Sequence, residues 1–355
     1  YSGDCDSDNT TAVGEDNNTV TFRKPSSEGG GGLDEGPHSN CKISVTTSGD
    51  VVSDNLSVSS FTIDTTPPTL AETIKVDNFT NDNVTRYTFS STEGGTIEIG
   101  GGCSSDNDTA VADNMTVSFA ALPDGTYGGC YIDVTDSAGN TVRIYVNQFT
   151  IDTIAPILAE VTPVSTPTKD NTTLNYTFSS TEYGNITYGG SCSSSGDNTS
   201  VGGPDNVPAN NAITFNALAD GTYDNCKISV TDNASNTSVN LEVSEFEIDT
   251  VIPVLAVVNA VKTPTDNTTP AYSFRSTEAG TNSYGGSCGS SSTSATSEEG
   301  KDNVTIILTQ TDNSTALIEG LYDDCSIKVT DSAGNTSTKL EVEEFIVDLT
   351  PPTVS

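Results

Sequence analysis

Eight cysteines are the residues whose type and spacing most directly suggest chemistry, because they recur in pairs along the chain. There is no Cys-x-x-Cys motif and only one histidine, which argues against metal-binding thiols. An even count at regular positions instead predicts one disulfide in each repeated unit and an oxidising, extracellular environment. Loops of 36, 27, 34 and 37 residues would be closed, each contributing roughly 3.5–4 kcal/mol in the chain-entropy model. The predicted pairs are Cys5–Cys41, Cys103–Cys130, Cys192–Cys226 and Cys288–Cys325.

Carboxylates are the second chemically capable group, since 49 acidic residues face 13 basic ones and the formal charge is −36. Such a surface repels nucleic acid and anionic membranes, so neither is expected as a partner. Two explanations stay open: solubility of a secreted chain, or neutralisation of part of the charge by divalent cations. The sequence contains no Ser-His-Asp set and no histidine cluster, so we expect no enzymatic activity. No run of about 18 apolar residues exists, so no membrane span is predicted.

The elements that would hold these residues are internal repeats. A Tyr-x-x-Cys strand, a Val-Thr-Asp loop and a Phe-x-Ile-Asp-Thr linker recur in the same order, and successive linker aspartates are 88, 97 and 99 residues apart. That spacing is the size of one small β-sandwich. The linker aspartates are Asp64, Asp152, Asp249 and Asp348. The predicted divisions are a partial domain at 1–66, full domains at 67–154, 155–251 and 252–350, and the start of a further repeat at 351–355.

Each repeat is predicted to be all-β with no significant helix, because apolar residues alternate with polar ones and never follow a 3.6-residue period. Cys226, Ile228 and Val230 define the clearest strand. In the last strand the alternation of inward-facing apolar residues shifts by one position between Val243 and Phe246, which we interpret as a β-bulge. About seven short strands, with an acidic-Gly-x-Tyr corner before the cysteine strand, predict tandem immunoglobulin-like sandwiches. His38 replaces the corner tyrosine of the first repeat, and a structural role is expected for it.

The chain resembles the tandem bacterial Ig-like domains of large cell-surface adhesins, biofilm proteins and extracellular fibres. The resemblance covers essentially the whole chain and is carried by Val-Thr-Asp-x-Ala-Gly-Asn loops such as 134–140, by the Phe-x-Ile-Asp-Thr-x-x-Pro linkers, and by the Pro-Thr openings at 167–172 and 264–268. A cysteine pair in every unit departs from the general pattern of that family. The disulfide prediction therefore depends on the spacing alone.

The resemblance implies Ca²⁺ at the junctions between successive domains, because linker and loop carboxylates bind it there in the family. The matching residues are the linker aspartates, the loop aspartates and the aspartates that open the next unit. The alternative is that these motifs are Asx turns without a metal. In the first unit Thr47 replaces the loop aspartate, which predicts a weaker site after that unit unless Asp50 substitutes. The principal predicted ligands are Asp136, Asp152, Asp170, Asp232, Asp249 and Asp266; Asp64, Asp82 and Asp331 also match.

Asn-x-Ser/Thr sequons are dense, so N-linked glycans are a further expectation, with Ser/Thr-linked sugars as the alternative. Either would shield an exposed fibre from proteases. The sequons chosen as candidate sites are Asn83, Asn171, Asn185, Asn267 and Asn303.

The function predicted from the sequence is a structural component of an extracellular filament or cell-surface stalk, stiffened by disulfides and Ca²⁺. A ligand-binding adhesin module is the alternative, although the variable loop at 193–203 has no aromatic residue. The expected partners are neighbouring copies or further repeats. Because residues 1–5 align with residues 188–192, the first unit is expected to lack its first two strands. The chain would then be a window cut from a longer repeat array, or a subunit completed by a neighbour's strand.

Overall fold

The computed structural model describes residues 1–14, 17–196, 199–200, 208–295 and 303–353. Within them the chain is all-β, and the one helical segment is a three-residue 3-10 turn, Ser26–Glu28. The chain divides into two compact units, Tyr1–Ile154 and Ala155–Ser355, each of which contains two of the sequence repeats.

The first repeat has four short strands in two two-stranded sheets. β1 pairs with β4 and β2 with β3, all antiparallel. Isolated bridges join Ser2 to Lys42 and Asp6 to Arg23. The strands are β1 Gly36–His38, β2 Lys42–Ile43, β3 Leu56–Ser57 and β4 Phe61–Ile63.

The second repeat forms a complete sandwich. One sheet has the order β5-β7-β10 and the facing sheet β9-β8-β12-β13, while β6 runs parallel to β14, which also pairs with β11. The strands are β5 Leu70–Ile74, β6 Phe79–Thr80, β7 Arg86–Ser91, β8 Gly95–Gly100, β9 Thr109–Ala110, β10 Asp113–Ser118, β11 Gly125–Tyr127, β12 Tyr131–Thr135, β13 Thr141–Tyr145 and β14 Phe149–Ile151.

The third repeat keeps this architecture, with sheets β15-β16-β19, β18-β17-β21-β22 and β20-β23. Its strands are β15 Leu158–Thr162, β16 Leu174–Ser180, β17 Gly184–Gly189, β18 Thr199–Ser200, β19 Ala209–Phe215, β20 Gly221–Tyr223, β21 Lys227–Thr231, β22 Leu241–Glu242 and β23 Phe246–Ile248.

The fourth repeat has the matching sheets β24-β25-β28, β27-β26-β30-β31 and β29-β32. Its strands are β24 Leu255–Asn259, β25 Ala271–Ser276, β26 Gly280–Gly285, β27 Ser294–Ala295, β28 Asn303–Ile307, β29 Gly320–Tyr322, β30 Ser326–Thr330, β31 Leu340–Glu341 and β32 Phe345–Val347.

The core of each full repeat lies between its two sheets and follows from the period-two pattern. In the second repeat Tyr87 and Phe89 from β7 meet Ile132 and Val134 from β12, all fully buried. Neighbours at i and i+2 share one face of a strand, so alternation places the large apolar side chains inward. The described residues form one such buried cluster in each of the second, third and fourth repeats. Each full repeat is therefore an immunoglobulin-like β-sandwich, as the sequence predicted.

All four predicted disulfides are present, and each lies within one repeat. The paired Cα atoms are 5.2–5.4 Å apart, and every cysteine is buried. No cysteine is free. The spacing argument was therefore sufficient to predict the pairing.

The predicted corners are also confirmed. The Tyr127 hydroxyl donates to the Pro123 carbonyl at 2.7 Å, and Tyr223 and Tyr322 repeat this contact four residues upstream. In the first repeat His38 Nε2 lies 2.9 Å from the Asp34 carbonyl, which is the same offset. The imidazole stacks on Phe61 with ring centroids 5.3 Å apart. His38 thus replaces the corner tyrosine structurally.

The bulge predicted in the last strand is wrong. The strand divides into two, because β22 pairs with β21 in one sheet whereas β23 pairs with β20 in another. The slip between Val243 and Phe246 therefore marks a change of sheet, with both residues still facing the shared core. Register shifts occur instead in the first strand of each full repeat, between Glu72 and Ile74 in the second.

Candidate metal centres at the repeat junctions

The linker aspartates lie where the last strand of a repeat ends. Asp64 directly follows β4, and Asp249 directly follows β23. In both, Oδ1 accepts a hydrogen bond from the amide two residues later: Thr66 N at 3.1 Å and Val251 N at 3.0 Å. This Asx turn fixes the side chain locally and leaves the second carboxylate oxygen available for another partner.

The loop aspartates come from the next repeat along the chain. Asp136 Oδ1 accepts from the amides of Ala138, Gly139 and Asn140 at 2.7–2.9 Å, and its Oδ2 accepts from Asn140 Nδ2 at 2.9 Å. Gly139 has φ +98°, a left-handed conformation that favours glycine. The Asp-x-Ala-Gly-Asn motif is therefore a tight turn that holds its own carboxylate rigidly.

The fourth repeat contains the same loop. Asp331 Oδ1 accepts from Asn335 N at 2.8 Å, and Oδ2 accepts from Asn335 Nδ2 at 2.9 Å. In the third repeat Asp232 is held in the same way by Asn236 N, at 2.9 Å. The three full repeats thus present an equivalent loop carboxylate.

A glutamate that sequence reasoning missed completes each group. Glu93 lies in the turn between β7 and β8, and Glu278 lies in the equivalent turn between β25 and β26. The preceding serine fixes each turn, since Ser91 Oγ and Ser276 Oγ donate to the glutamate carbonyl at 2.6 Å. The available signal was the Ser-Thr-Glu motif, which recurs in each full repeat.

Two junctions bring three carboxylates together from successive repeats. Asp64 of the first repeat meets Glu93 and Asp136 of the second, with one carboxylate oxygen from each within 4.8 Å of the others. At the junction of the third and fourth repeats, Asp249, Glu278 and Asp331 form the equivalent group. We call these the first and the second acidic group. Within the third repeat, oxygens of Glu182 and Asp232 also lie within 4.8 Å of each other.

An asparagine links the two sides of each junction directly. Asn140 Nδ2 donates to the Asp64 carbonyl at 3.1 Å, and Asn335 Nδ2 donates to the Asp249 carbonyl at 2.7 Å. Each of these asparagines also holds the loop aspartate of its own repeat. One amide group therefore connects the linker backbone to the loop carboxylate.

The electrostatics of both groups favour a cation. Burial and the charges of Asp249 and Asp331 raise the pKa of Glu278 from 4.5 to about 7. Burial, then Asp64, Asp136 and Glu35, raise the pKa of Glu93. Close carboxylates disfavour one another's ionisation, so the glutamate of each group has a raised pKa.

Asp136 responds in the opposite direction. Burial opposes its ionisation, but hydrogen bonds from Asn140 and the adjacent amides outweigh burial and lower its pKa. The loop aspartate is therefore maintained as an anion by its own turn. In the second acidic group, Glu278 Oε2 is buried and has no hydrogen-bond partner.

Of the predicted ligands, Asp136 and Asp249 lie in the two acidic groups, together with Asp64 and Asp331. Asp232 occupies the equivalent loop. Asp152 follows β14, and its Oδ1 accepts from Ile154 N at 3.1 Å, so it has the same local turn as the other linker aspartates. The expected weakness after the first repeat does not hold geometrically, because the loop carboxylate there comes from the second repeat and not from the segment around Thr47.

Asp170 and Asp266 lie outside both acidic groups. The opening loop of a repeat runs beside the linker aspartate that follows the same repeat, since the Asp249 amide donates to the Thr168 carbonyl at 2.9 Å. Asp170 Oδ1 accepts from the amides of Thr172 and Thr173, a local turn. Side-chain and backbone bonds from these threonines lower the pKa of Asp170. A metal role for Asp170 or Asp266 stays a prediction.

The chosen sequons can be placed on the surface of the repeats. Asn83, Asn185, Asn267 and Asn303 are exposed, and Asn171 is half-buried. Asn335 also begins a sequon but is only 6% exposed, and its amide nitrogen donates to Asp249 and Asp331. A glycan on that nitrogen would break both bonds, so the structure disfavours Asn335 as an acceptor.

No known protein family and no curated protein sequence matches the chain. Similar solved structures include the fibronectin(III)-like modules of CbhA from Clostridium thermocellum, with TM-score 0.31 and 14% identity over 51% of this chain and 94% of that one. The tetra-tandem repeat in the extending region of a large adhesion protein aligns with TM-score 0.27 and 15% identity, over 94% and 89%. Salmonella alpha-2-macroglobulin aligns with TM-score 0.18 and 11% identity, over 92% and 26%.

At these TM-scores the fold assignment rests on the strand pairings and not on the superpositions. Among the described residues, no helix is long and apolar enough to cross a membrane.

Proposed function

We propose that this chain is a structural segment of an extracellular filament or cell-surface stalk, in which Ca²⁺ bound at the junctions fixes one repeat against the next. The observation that carries the proposal is the meeting of carboxylates from two successive repeats, as in Asp249 with Glu278 and Asp331. A cation shared in this way would couple neighbouring repeats, which is what a load-bearing array needs.

The donor set fits a hard divalent cation. Carboxylates are among the oxygen ligands that Ca²⁺ prefers, and each group is formed by three of them. Glu278 Oε2 is buried without a hydrogen-bond partner, and a bound cation would supply a partner for that oxygen. Bound Ca²⁺ would supply charge neutralisation and a bridge between repeats. The chain's own residues do the rest: Asn335 orients the loop carboxylate, and the Asx turn orients the linker carboxylate.

Other features support an extracellular structural role. Four buried disulfides constrain small sandwiches that have small hydrophobic cores. Small secreted domains commonly depend on disulfides for this reason. The expected partners are further repeats or neighbouring copies of the same protein. Protein-linked glycans at the exposed sequons would protect such a segment, and intact-mass spectrometry before and after deglycosylation would detect them.

The test is calcium titration by calorimetry, combined with thermal unfolding in calcium and in chelator. We expect binding of at least two ions per chain and a melting temperature that rises with free calcium, because an ion that binds only the folded state stabilises it. Asp331→Asn should remove one ion, whereas Asp224→Asn, at an exposed aspartate outside the acidic groups, should leave the stoichiometry unchanged. Equal melting temperatures and equal scattering dimensions in calcium and chelator would contradict the metal proposal.

A specific patch favours the alternative, a ligand-binding adhesin module. On the outer face of β12 and β13, the Arg143 guanidinium lies 3.5 Å from the ring centroid of Tyr131 and forms a bidentate pair with Asp133. Tyr145, opposite Tyr131 in the register, is 65% exposed. Tyrosine and arginine are enriched in recognition hot spots.

This alternative is tested by immobilising the chain and screening glycans. Tyr145→Ala should abolish retention of a bound glycan, while Tyr183→Ala, at another exposed tyrosine, should not. If no glycan is retained, or if retention survives Tyr145→Ala, this patch is not an adhesive site.

A further inference from the structure

A hydrogen bond between an acidic corner and a linker threonine occurs in all four repeats. The corner residue precedes the glycine of the turn, and its carboxylate accepts from the hydroxyl of a threonine just beyond the linker aspartate. We call this contact the corner–linker bond. The pairs are Glu35–Thr66, Asp124–Thr153, Asp220–Thr250 and Glu319–Thr350.

The length of the corner side chain is matched to the position of the threonine. Where the corner is aspartate, the partner is the first residue after the linker aspartate: Thr153 Oγ1 donates to Asp124 at 3.0 Å, and Thr250 Oγ1 donates to Asp220 at 2.8 Å. The backbone amides of these threonines donate to the same carboxylates at 3.1 Å. The shorter side chain therefore reaches the nearer residue.

Where the corner is glutamate, the partner is the second residue after the linker aspartate. Thr350 Oγ1 donates to Glu319 at 2.7 Å, and Leu349, which occupies the nearer position, has no hydroxyl. In the first repeat Thr66 donates to Glu35, and Thr65 reaches the other carboxylate oxygen at 3.5 Å. Glutamate has one methylene more than aspartate, and its threonine partner lies one residue further along the linker.

The two arrangements also differ in the residues that follow. After a glutamate corner the threonine directly precedes two prolines, as in Thr350-Pro351-Pro352, whereas after an aspartate corner one proline comes later, as in Thr250-Val251-Ile252-Pro253. A residue before proline is restricted to extended conformations. The linker backbone that follows the bonded threonine is therefore constrained differently in the two arrangements. The corner–linker bond is the contact that both classes share.

We propose that the corner carboxylate is a positioning residue: it fixes the direction of the linker as it leaves the repeat, and thereby the linker aspartate between the last strand and the bonded threonine. Asp249 lies between β23 and Thr250, so its carboxylate is constrained on both sides. The consequence for the metal rests on the proposed function, but the corner–linker bond and its length matching do not. A mismatch of corner and threonine should loosen the linker even when no calcium is present.

The experiment exchanges one class for the other in the third repeat. Asp220→Glu alone creates a mismatch, whereas Asp220→Glu with Thr250→Val and Val251→Thr recreates the arrangement of the glutamate corners. The readout in chelator is hydrogen exchange of the peptide that covers 246–254. We expect exchange to be at least about fivefold faster in the single variant and largely restored in the triple variant. Asp224→Glu, at an exposed aspartate of the same repeat, should leave exchange unchanged.

Calcium titration of the same proteins supplies the second readout. Asp220→Glu should weaken the binding of one calcium ion and leave binding at the first acidic group unchanged. The triple variant should restore the lost affinity. Exchange that is unchanged in Asp220→Glu, or not restored in the triple variant, would refute the length matching. If no variant binds calcium but the exchange pattern holds, the metal proposal fails and the positioning role stands.

Discussion

The first and second acidic groups have the same three ligand positions but different surroundings. Around the first, Glu35 adds a further negative charge that raises the pKa of Glu93. Near the second, Lys169 from the third repeat donates to the Gly334 carbonyl of the fourth at 2.7 Å, in the same loop as Asp331. The second junction thus has a cationic contact between repeats in addition to its carboxylates, whereas the first carries the additional acid Glu35.

The pKa of each glutamate depends on its burial as well as on the charges around it. Glu278 has the pKa of about 7 and the buried oxygen without a partner, although Lys169 is nearby. Lys169 contacts the loop backbone and does not pair with the glutamate. A lysine can therefore connect two repeats without relieving the repulsion among the carboxylates beside it.

The largest expected effect is loss of one metal ion from one junction. Asp136→Asn and Asp331→Asn each remove one ligand charge while keeping an acceptor for the turn amides. Each should weaken binding at its own junction by at least about tenfold, or 1.4 kcal/mol, and leave the other unchanged. Calorimetric titration of both variants and of the double variant would measure this. Loss of both ions in either single variant would contradict independent junctions.

The asparagine contacts should give the next largest effect. Asn335→Ala removes the donor to the partly buried Asp249 carbonyl. A fully buried acceptor left unpaired costs about 1–3 kcal/mol, so we expect a loss toward the lower end of that range. Asn140→Ala should cost less, because its bond to the Asp64 carbonyl is longer and Asn140 is less buried. Urea unfolding in chelator would measure the difference. An equal or larger loss in Asn140→Ala would reverse the comparison.

The pH dependence should differ between the metal-free and calcium-bound chain. Because folding raises the pKa of Glu278 from 4.5 to about 7, protonation of Glu278 stabilises the folded state, fully below pH 4.5 and decreasingly as pH rises through 7. In chelator, the melting temperature of the fourth repeat should therefore fall between about pH 5 and 8. Glu278→Gln should remove that decline. In calcium, affinity should rise over the same range as the competing proton leaves.

The smallest effect is expected for Lys169→Met, which keeps the aliphatic stem and removes the ammonium group. An exposed hydrogen bond of this kind contributes about 0.5–1.5 kcal/mol. We expect slightly weaker coupling between the third and fourth repeats, seen as faster hydrogen exchange at 331–335, and no change at 136–140. A loss of calcium binding in Lys169→Met would show that the lysine supports the second acidic group more directly than its backbone contact indicates.

Much of the candidate site could be predicted because it repeats. The linker and loop aspartates could be identified from motifs that recur in the same order, and the structure brings Asp64, Asp136, Asp249 and Asp331 into the acidic groups. Glu93 and Glu278 were missed, since a Ser-Thr-Glu turn looks like an ordinary connection between strands. The loop that contains Asp170 runs beside the last strand of its own repeat, a placement that the sequence motif did not indicate.

The corner–linker bonds show the same division. The acidic-glycine corners and the linker threonines were both visible in the sequence, about 30 residues apart. Nothing in their local pattern indicated that Asp220 and Thr250 meet. The antiparallel pairing of β20 with β23 brings those strand ends together.

The sequence by itself determined the all-β class, the repeat, the disulfide pairs and the corners, because each follows from period-two alternation or from motifs that recur in the same order. Only the tertiary structure decided which sheet the last strand joins, which glutamate completes each acidic group and which threonine the corner binds. Those contacts form across loops from distant segments, where register, side-chain length and the packing of one repeat against the next set the distances. Local residue patterns do not indicate those distances.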